Sequence, residues 1–193
     1  LFRSPRLQPQ PRMTADIDSR VFRSVLGRFC TGITIITTVN DGVPVGFACQ
    51  SFSALSLDPP LILFCPGARS RSWAAIERTG HFCVNVLAEE QQSLCARFGS
   101  PEPDKFAGVE WSTTALGSPA LEGALAHIDC TVERTADGGD HVIVVGRVHA
   151  ISDTSGGRPL LFYRGQYTAV EPGRHTPAGW RGDLQDFLTT ASA

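Results

Sequence analysis

The sequence predicts a mainly β protein, an antiparallel barrel with helices at its periphery, on three observations. Runs of β-branched and aromatic residues recur at short spacing and make about seven strands. Turn signals such as Asp41-Gly42 and Asp137-Gly138-Gly139-Asp140 join neighbouring runs directly, so the connections are mainly hairpins. The few helical segments fall between strands without the regular alternation of a doubly wound sheet.

Composition sets the class. Over 193 residues, 42% are hydrophobic and 19% charged, enough to close a core in one domain and too apolar for a disordered chain. A net charge of -2 gives no general attraction to nucleic acid or anionic lipid, so neither is an expected partner and any bound anion must be met by local groups. No apolar run approaches the roughly 20 residues that span a bilayer, and the N-terminus shows no apolar stretch of a secretory signal, so a cytoplasmic protein is expected. Cys30, Cys49, Cys65, Cys83, Cys95 and Cys130 form no CxxC pair and no zinc-like cluster, and they read as small buried thiols with no metal site.

The elements follow in order. Residues 1–15, with Pro and Arg but no acid before Met13, read as a disordered extension or tag, residues 16–170 as the domain, and 171–193 as a tail with a short helix. Asp18 is a helix cap, and Val21, Phe22, Val25, Leu26 and Phe29 make one apolar face of a helix ending near Gly32. Ile33 to Val39 and Val43 to Cys49 are paired strands across Asp41-Gly42. Asp58-Pro59-Pro60 is a rigid turn before the buried strand Leu61 to Cys65, and Ser70 caps a helix carrying Trp73 and Ile76. A strand through Phe82, Val84 and Val86 precedes a helix from Glu89 to Phe98. Leu125 to Thr135 and Val142 to Ile151 form a long hairpin, and Leu160 to Tyr163 is the last strand.

The familiar nucleotide and hydrolase signatures are missing: there is no GxGxxG after a strand, no GxxxxGK[ST], no HExxH and no GxSxG. What remains is a polar group on apolar elements, Gln50, Ser51, Ser53 and Ser56 and then Arg69-Ser70-Arg71-Ser72 at a helix start. Free N–H groups at a helix start, with guanidinium and hydroxyl donors, suit a phosphate, although such residues are more often plain caps and solvated charge. His141 opens a strand after a Gly-Gly turn; because adjacent strand residues point to opposite faces, a hydrogen-bonding or stacking role is expected rather than a relay through Asp140. His81, His127, His149 and His175 are given no function.

In order along the chain, Phe22-Arg23-Ser24-Val25-Leu26-Gly27, Cys30-Thr31-Gly32-Ile33-Thr34, Val45 to Phe52, Ser56 to Leu61 and Phe82 to Leu87 resemble the short-chain flavin reductase family. Gly139-Asp140-His141 and Pro159 to Tyr163 extend the resemblance over nearly all of residues 18 to 170. Arg97 to Ser100, Pro103 to Gly108 and Thr176 to Arg181 narrow it to reductase components of actinobacterial oxygenases that hydroxylate a phenolic seco-steroid in cholesterol breakdown.

The resemblance implies an FMN-binding split barrel, a homodimer with flavin near the subunit interface, FMN or FAD as cofactor, NADH as co-substrate and a separate flavin-dependent oxygenase as partner. Carried to matching positions, Pro44, Val45, Gly46, Phe47, Ala48, Gln50 and Ser51 line the flavin ring and ribityl chain. Cys65, Pro66, Gly67, Arg71, Ser72, Arg97 and Phe98 hold the phosphate and, for FAD, the rest of the dinucleotide. His141, as the catalytic candidate, receives the nicotinamide nucleotide with Phe162, Tyr163, Arg164 and Gly165. Against the family pattern, the Ser155-Gly156-Gly157-Arg158 loop is short, which loosens the placement of Arg164. Three other readings stay open on the residues: a flavin carrier without turnover, an oxidase of the pyridoxamine phosphate type, and a reductase serving another phenol oxygenase.

Overall fold

The computed structural model describes residues 17–153 and 156–170. The extension expected at 1–15, the tail expected at 171–193, the Thr176 to Arg181 segment and Ser155 lie outside the described residues.

Helix α1 (Ser19–Leu26) starts as expected: the Asp18 carboxylate accepts from the Arg20 and Val21 N–H groups at 2.7 and 3.3 Å. It ends earlier than Gly32. At Gly27 the N–H closes back on Arg23 O at 2.8 Å, and Thr31–Gly32 is already a short strand, β1. Strands β2 (Thr34–Asn40) and β3 (Val43–Cys49) form the expected hairpin, with Asp41 and Gly42 both at positive φ (51° and 78°), as a type I′ turn requires. Strand β4 (Ser53–Leu57) is not among the expected strands, because its small polar residues lack the alternation that marks one; the Asp58-Pro59 turn then leads into β5 (Pro60–Phe64).

Helix α2 (Arg71–Thr79) is capped by Ser70, whose hydroxyl accepts from Trp73 N–H at 3.3 Å, and ends at Gly80 in the left-handed region. Strand β6 (His81–Val86) follows. The helix expected over Glu89 to Phe98 divides into a 3₁₀ turn at Glu89–Gln91 and helix α3 (Gln92–Gly99). Two short strands unseen in the sequence, β7 (Trp111–Thr113) and β8 (Pro119–Leu121), pair with each other. The long hairpin is β9 (Ala126–Gly138) and β10 (His141–Asp153). Strand β11 (Leu161–Tyr163) is not the last. Arg164 and Gly165, again both at positive φ, turn the chain into β12 (Gln166–Thr168).

Seven strands make one antiparallel sheet in the order β3-β2-β6-β9-β10-β5-β4, and β1-β11-β12 form a second, smaller sheet. The large sheet curls until its two ends approach. Ser51, just past β3, accepts from Cys65 N–H at 2.8 Å just past β5, and its hydroxyl reaches Cys65 O at 3.2 Å. The cluster inside the curl contains Ile36, Ile62, Phe64, Phe82 and Val84, with Trp73 and Ile76 from α2. A second cluster, with Ile35, Leu87, Phe98 and Leu160, fixes α3 and the small sheet to the outer face. The result is an antiparallel split barrel with peripheral helices.

Asn85 ties these layers together. Fully buried, it donates to Ile35 O and Thr37 Oγ1, each at 3.0 Å, and accepts from Leu121 N–H at 2.7 Å, so β2, β6 and β8 share one satisfied amide.

Candidate active site

Two hollows meet at Phe47. The first, of about 280 Å³, has Pro44 to Phe47 as its floor, Ser70, Arg71 and Ser72 as one wall and the Ser100 to Phe106 loop as the other. The second, of about 360 Å³, continues along β3 through Ala48 to Ser51 and is closed by Cys65, Pro66, Gly67 and His141. Strand β3 is thus a common floor with a cationic helix start at one end and an imidazole at the other.

The floor comes close to the core because Gly46 carries no side chain. A Cβ there would stand 2.9 Å from Ile36 O and 2.9 Å from the Phe98 ring. Phe98 is therefore buried beneath the floor, edge-on to Phe106 at 5.0 Å, and does not line the hollow. Ser72 anchors the wall: its hydroxyl donates to Gly46 O at 3.0 Å. Among the described residues the backbone N–H groups of Arg71 and Ser72 have no acceptor, as is usual in a first helical turn.

His141 reaches the second hollow through main-chain pairing. It bridges to Gly67, while Val142 N–H donates to Pro66 O at 2.9 Å and Ala68 N–H to Asp140 O at 3.0 Å. Its ring is half exposed, with Nδ1 2.7 Å from Asp140 Oδ1, and this contact lowers the Asp140 pKa below the usual carboxylate range. The expectation that Asp140 and His141 point to opposite faces is overturned. Asp140 belongs to the two-residue turn before β10, where strand alternation does not apply, so its carboxylate can fold onto the ring.

Of the residues expected from the sequence, Pro44 to Ala48, Gln50, Ser51, Cys65 to Gly67, Arg71, Ser72 and His141 line these hollows. Arg97 does not. It lies on the far side of α3, donating to Ala107 O at 2.6 Å beside a separate groove with Val109, Glu110 and Glu122. Phe162, Tyr163, Arg164 and Gly165 sit on β11 and the following turn, where Phe162 meets Tyr167 at 5.7 Å and Arg164 N–H donates to Gly27 O at 2.9 Å. Within one chain they line neither hollow.

The sequence reading missed Lys105, the chain's single lysine. Its Nζ donates to Phe98 O at 2.7 Å, and it lines the first hollow with Arg71; burial first, and then the Arg71 charge, lower its pKa. The signal in the sequence was a solitary lysine between Asp104 and Phe106, far from Arg71 along the chain. The other described histidines make hydrogen bonds away from the hollows: His81 with Ser118, His127 with Ser152 and Leu121 O, and His149 with Thr131. Among the described residues no cluster of His, Cys, Asp and Glu could hold a metal.

These residues fit a flavin. A phosphate finds cations and free N–H groups at one end of the floor, and a planar ring finds the bare main chain of β3 and the Pro66-Gly67 edge at the other.

Comparisons with known proteins agree with the geometry. The flavin reductase like domain matches residues 26–171. The chain is 69% identical, over 91% of its length and 90% of the relative's, to the reductase subunit HsaB of a flavin-dependent monooxygenase of Rhodococcus jostii. It is 64% identical to the subunit of the same name from Mycobacterium tuberculosis, over 93% of this chain and 97% of that protein. Among solved structures, nitrilotriacetate monooxygenase component B from Mycobacterium thermoresistibile superposes with a TM-score of 0.83 at 65% identity, covering 88% of this chain and 96% of its own. The NADH:FAD oxidoreductase SgcE6 of Streptomyces globisporus, solved with NAD and FAD fragments, superposes with a TM-score of 0.78 at 32% identity, covering 84% of this chain and all of its own. With a matching domain over most of its length and close relatives along nearly all of it, the chain belongs to the flavin reductase family.

Proposed function

We propose that the protein oxidises NADH, reduces FMN or FAD, and supplies the reduced flavin to a separate flavin-dependent oxygenase in the cytoplasm. The observation that carries this reading is the continuous β3 floor, with a cationic phosphate end at Arg71 and an imidazole at His141 on the other side of Phe47. A flavin held along β3 between Arg71 and His141 would supply the hydride-accepting chemistry, so the chain needs no nucleophile of its own.

What the protein supplies is position and a dry floor. The β3 main chain would carry the planar ring, Gly46 lets the Phe98 ring pack directly beneath that floor, Ser72 holds α2 against it, and His141 would face the incoming nicotinamide. The hollows are open to solvent, which suits a flavin that leaves after reduction. Identity of 64 to 69% with two reductase subunits of flavin-dependent monooxygenases supports the oxygenase partner. The phenolic seco-steroid of cholesterol breakdown, as substrate of that oxygenase, follows from the resemblance in the Arg97 to Gly108 segment. A homodimer is part of the same reading, because Phe162 to Gly165 line neither hollow within one chain.

Steady-state NADH oxidation, measured with and without catalytic amounts of FMN or FAD, tests the proposal. Consumption should depend on added flavin, and an oxygenase held behind a dialysis membrane should receive reduced flavin when autoxidation is limited. Absence of flavin-dependent NADH oxidation, or a flavin that stays bound through many turnovers, overturns it.

A further inference from the structure

The first hollow brings together two cations that the other described residues leave uncompensated. The Arg71 side chain makes no hydrogen bond or ion pair with any described residue, and among those residues the Lys105 ammonium bonds only the carbonyl oxygen of Phe98. Glu102 lines the same hollow yet pairs with neither. Asp104, beside Lys105 in sequence, spends Oδ1 on the N–H groups of Phe106 and Ala107 at 3.2 and 3.0 Å. Arg71 is also the first residue of α2, where the helix field disfavours a cation, and that first turn contains no acid.

Like charges gathered in a half-buried hollow destabilise the chain that holds them, and that penalty disappears when a multiply charged anion enters between them. We propose that Lys105, acting with Arg71, is the residue that selects phosphorylated flavins over riboflavin and sets how long they stay. This deepens the flavin reading and rests on it. One ammonium N–H of Lys105 is fixed by Phe98 O at the end of α3, so the side chain is held over the hollow with two N–H bonds still free. The lowered pKa of Lys105, owed first to burial and then to the Arg71 charge, agrees with a partly buried cation kept close to another.

Binding of riboflavin, FMN and FAD, followed by flavin fluorescence in wild type, Lys105→Met and Lys105→Arg, tests this. Losing one charge-assisted bond to phosphate corresponds to about a tenfold to hundredfold weaker Kd. Lys105→Met should weaken FMN and FAD by that factor, shorten their residence in stopped-flow release, and leave riboflavin binding unchanged. Lys105→Arg should recover most of the loss, and the salt dependence of FMN binding should be shallower in Lys105→Met than in wild type. Equal weakening of riboflavin and FMN would make Lys105 only a brace for α3, and unchanged FMN binding would remove it from the seat; either overturns the proposal. Failure of the flavin reading itself looks different, since wild type would then bind none of the three.

Discussion

His141 is set by its neighbours more than by its own chemistry. Pairing with Gly67 fixes its backbone, and the Asp140 carboxylate holds Nδ1, so Nε2 is the ring atom left for a ligand. His141→Ala should therefore raise the KM for NADH or slow flavin reduction at saturating NADH, with flavin affinity nearly intact because the β3 floor and the phosphate end are untouched. Stopped-flow reduction and an NADH KM both equal to wild type would end this role. At this scale the sequence was legible where a residue acts beside its chain neighbours: Ser70, Arg71 and Ser72 lie together at a helix start, and a turn aims His141. It was illegible for Lys105 and Arg97. Whether a long cation faces a hollow depends on which side of α3 and its following loop it leaves from, and no local pattern encodes that.

Among the elements, long apolar segments announced themselves and short ones did not. The β2-β3 and β9-β10 hairpins follow from their turns and their β-branched runs, whereas β4, β7, β8 and β12 are three to five residues long and owe their form to partner strands. Close approach between elements is the other hidden quantity. Strand β3 can be both barrel wall and floor of the hollow because Gly46 lets Ile36 O and the Phe98 ring come within what would be 2.9 Å of a Cβ. Gly46→Ala must displace β2 or α3, and overpacking of this kind costs about 1 to 3 kcal/mol. The expected result is a lower urea midpoint at unchanged m-value, together with weaker flavin binding as the floor shifts. An undiminished midpoint would mean that the contact relaxes freely.

For the whole molecule, the amphipathic pattern of α1 is the informative misfit. Val21, Phe22, Val25 and Leu26 form the expected apolar face, yet each is 50 to 58% exposed and the helix buries no residue against its own chain. Gly27, at the end of α1, touches the Arg164 main chain, so this bare face adjoins the strand end, Phe162 to Gly165, that lines neither hollow within one chain. A second copy seated on α1 would cover the face, and burying such side chains contributes roughly 1 kcal/mol or more each. The proposed homodimer would then have the adjoining β11 end at the same seam. Val25→Glu, placed on this exposed face, should leave the barrel's circular dichroism intact, shift sedimentation equilibrium from dimer to monomer, and reduce NADH oxidation in proportion to the monomer formed. A wild type that sediments as a monomer, or a monomeric Val25→Glu with full turnover, would show that the site is complete in one chain and that the α1 face has another use.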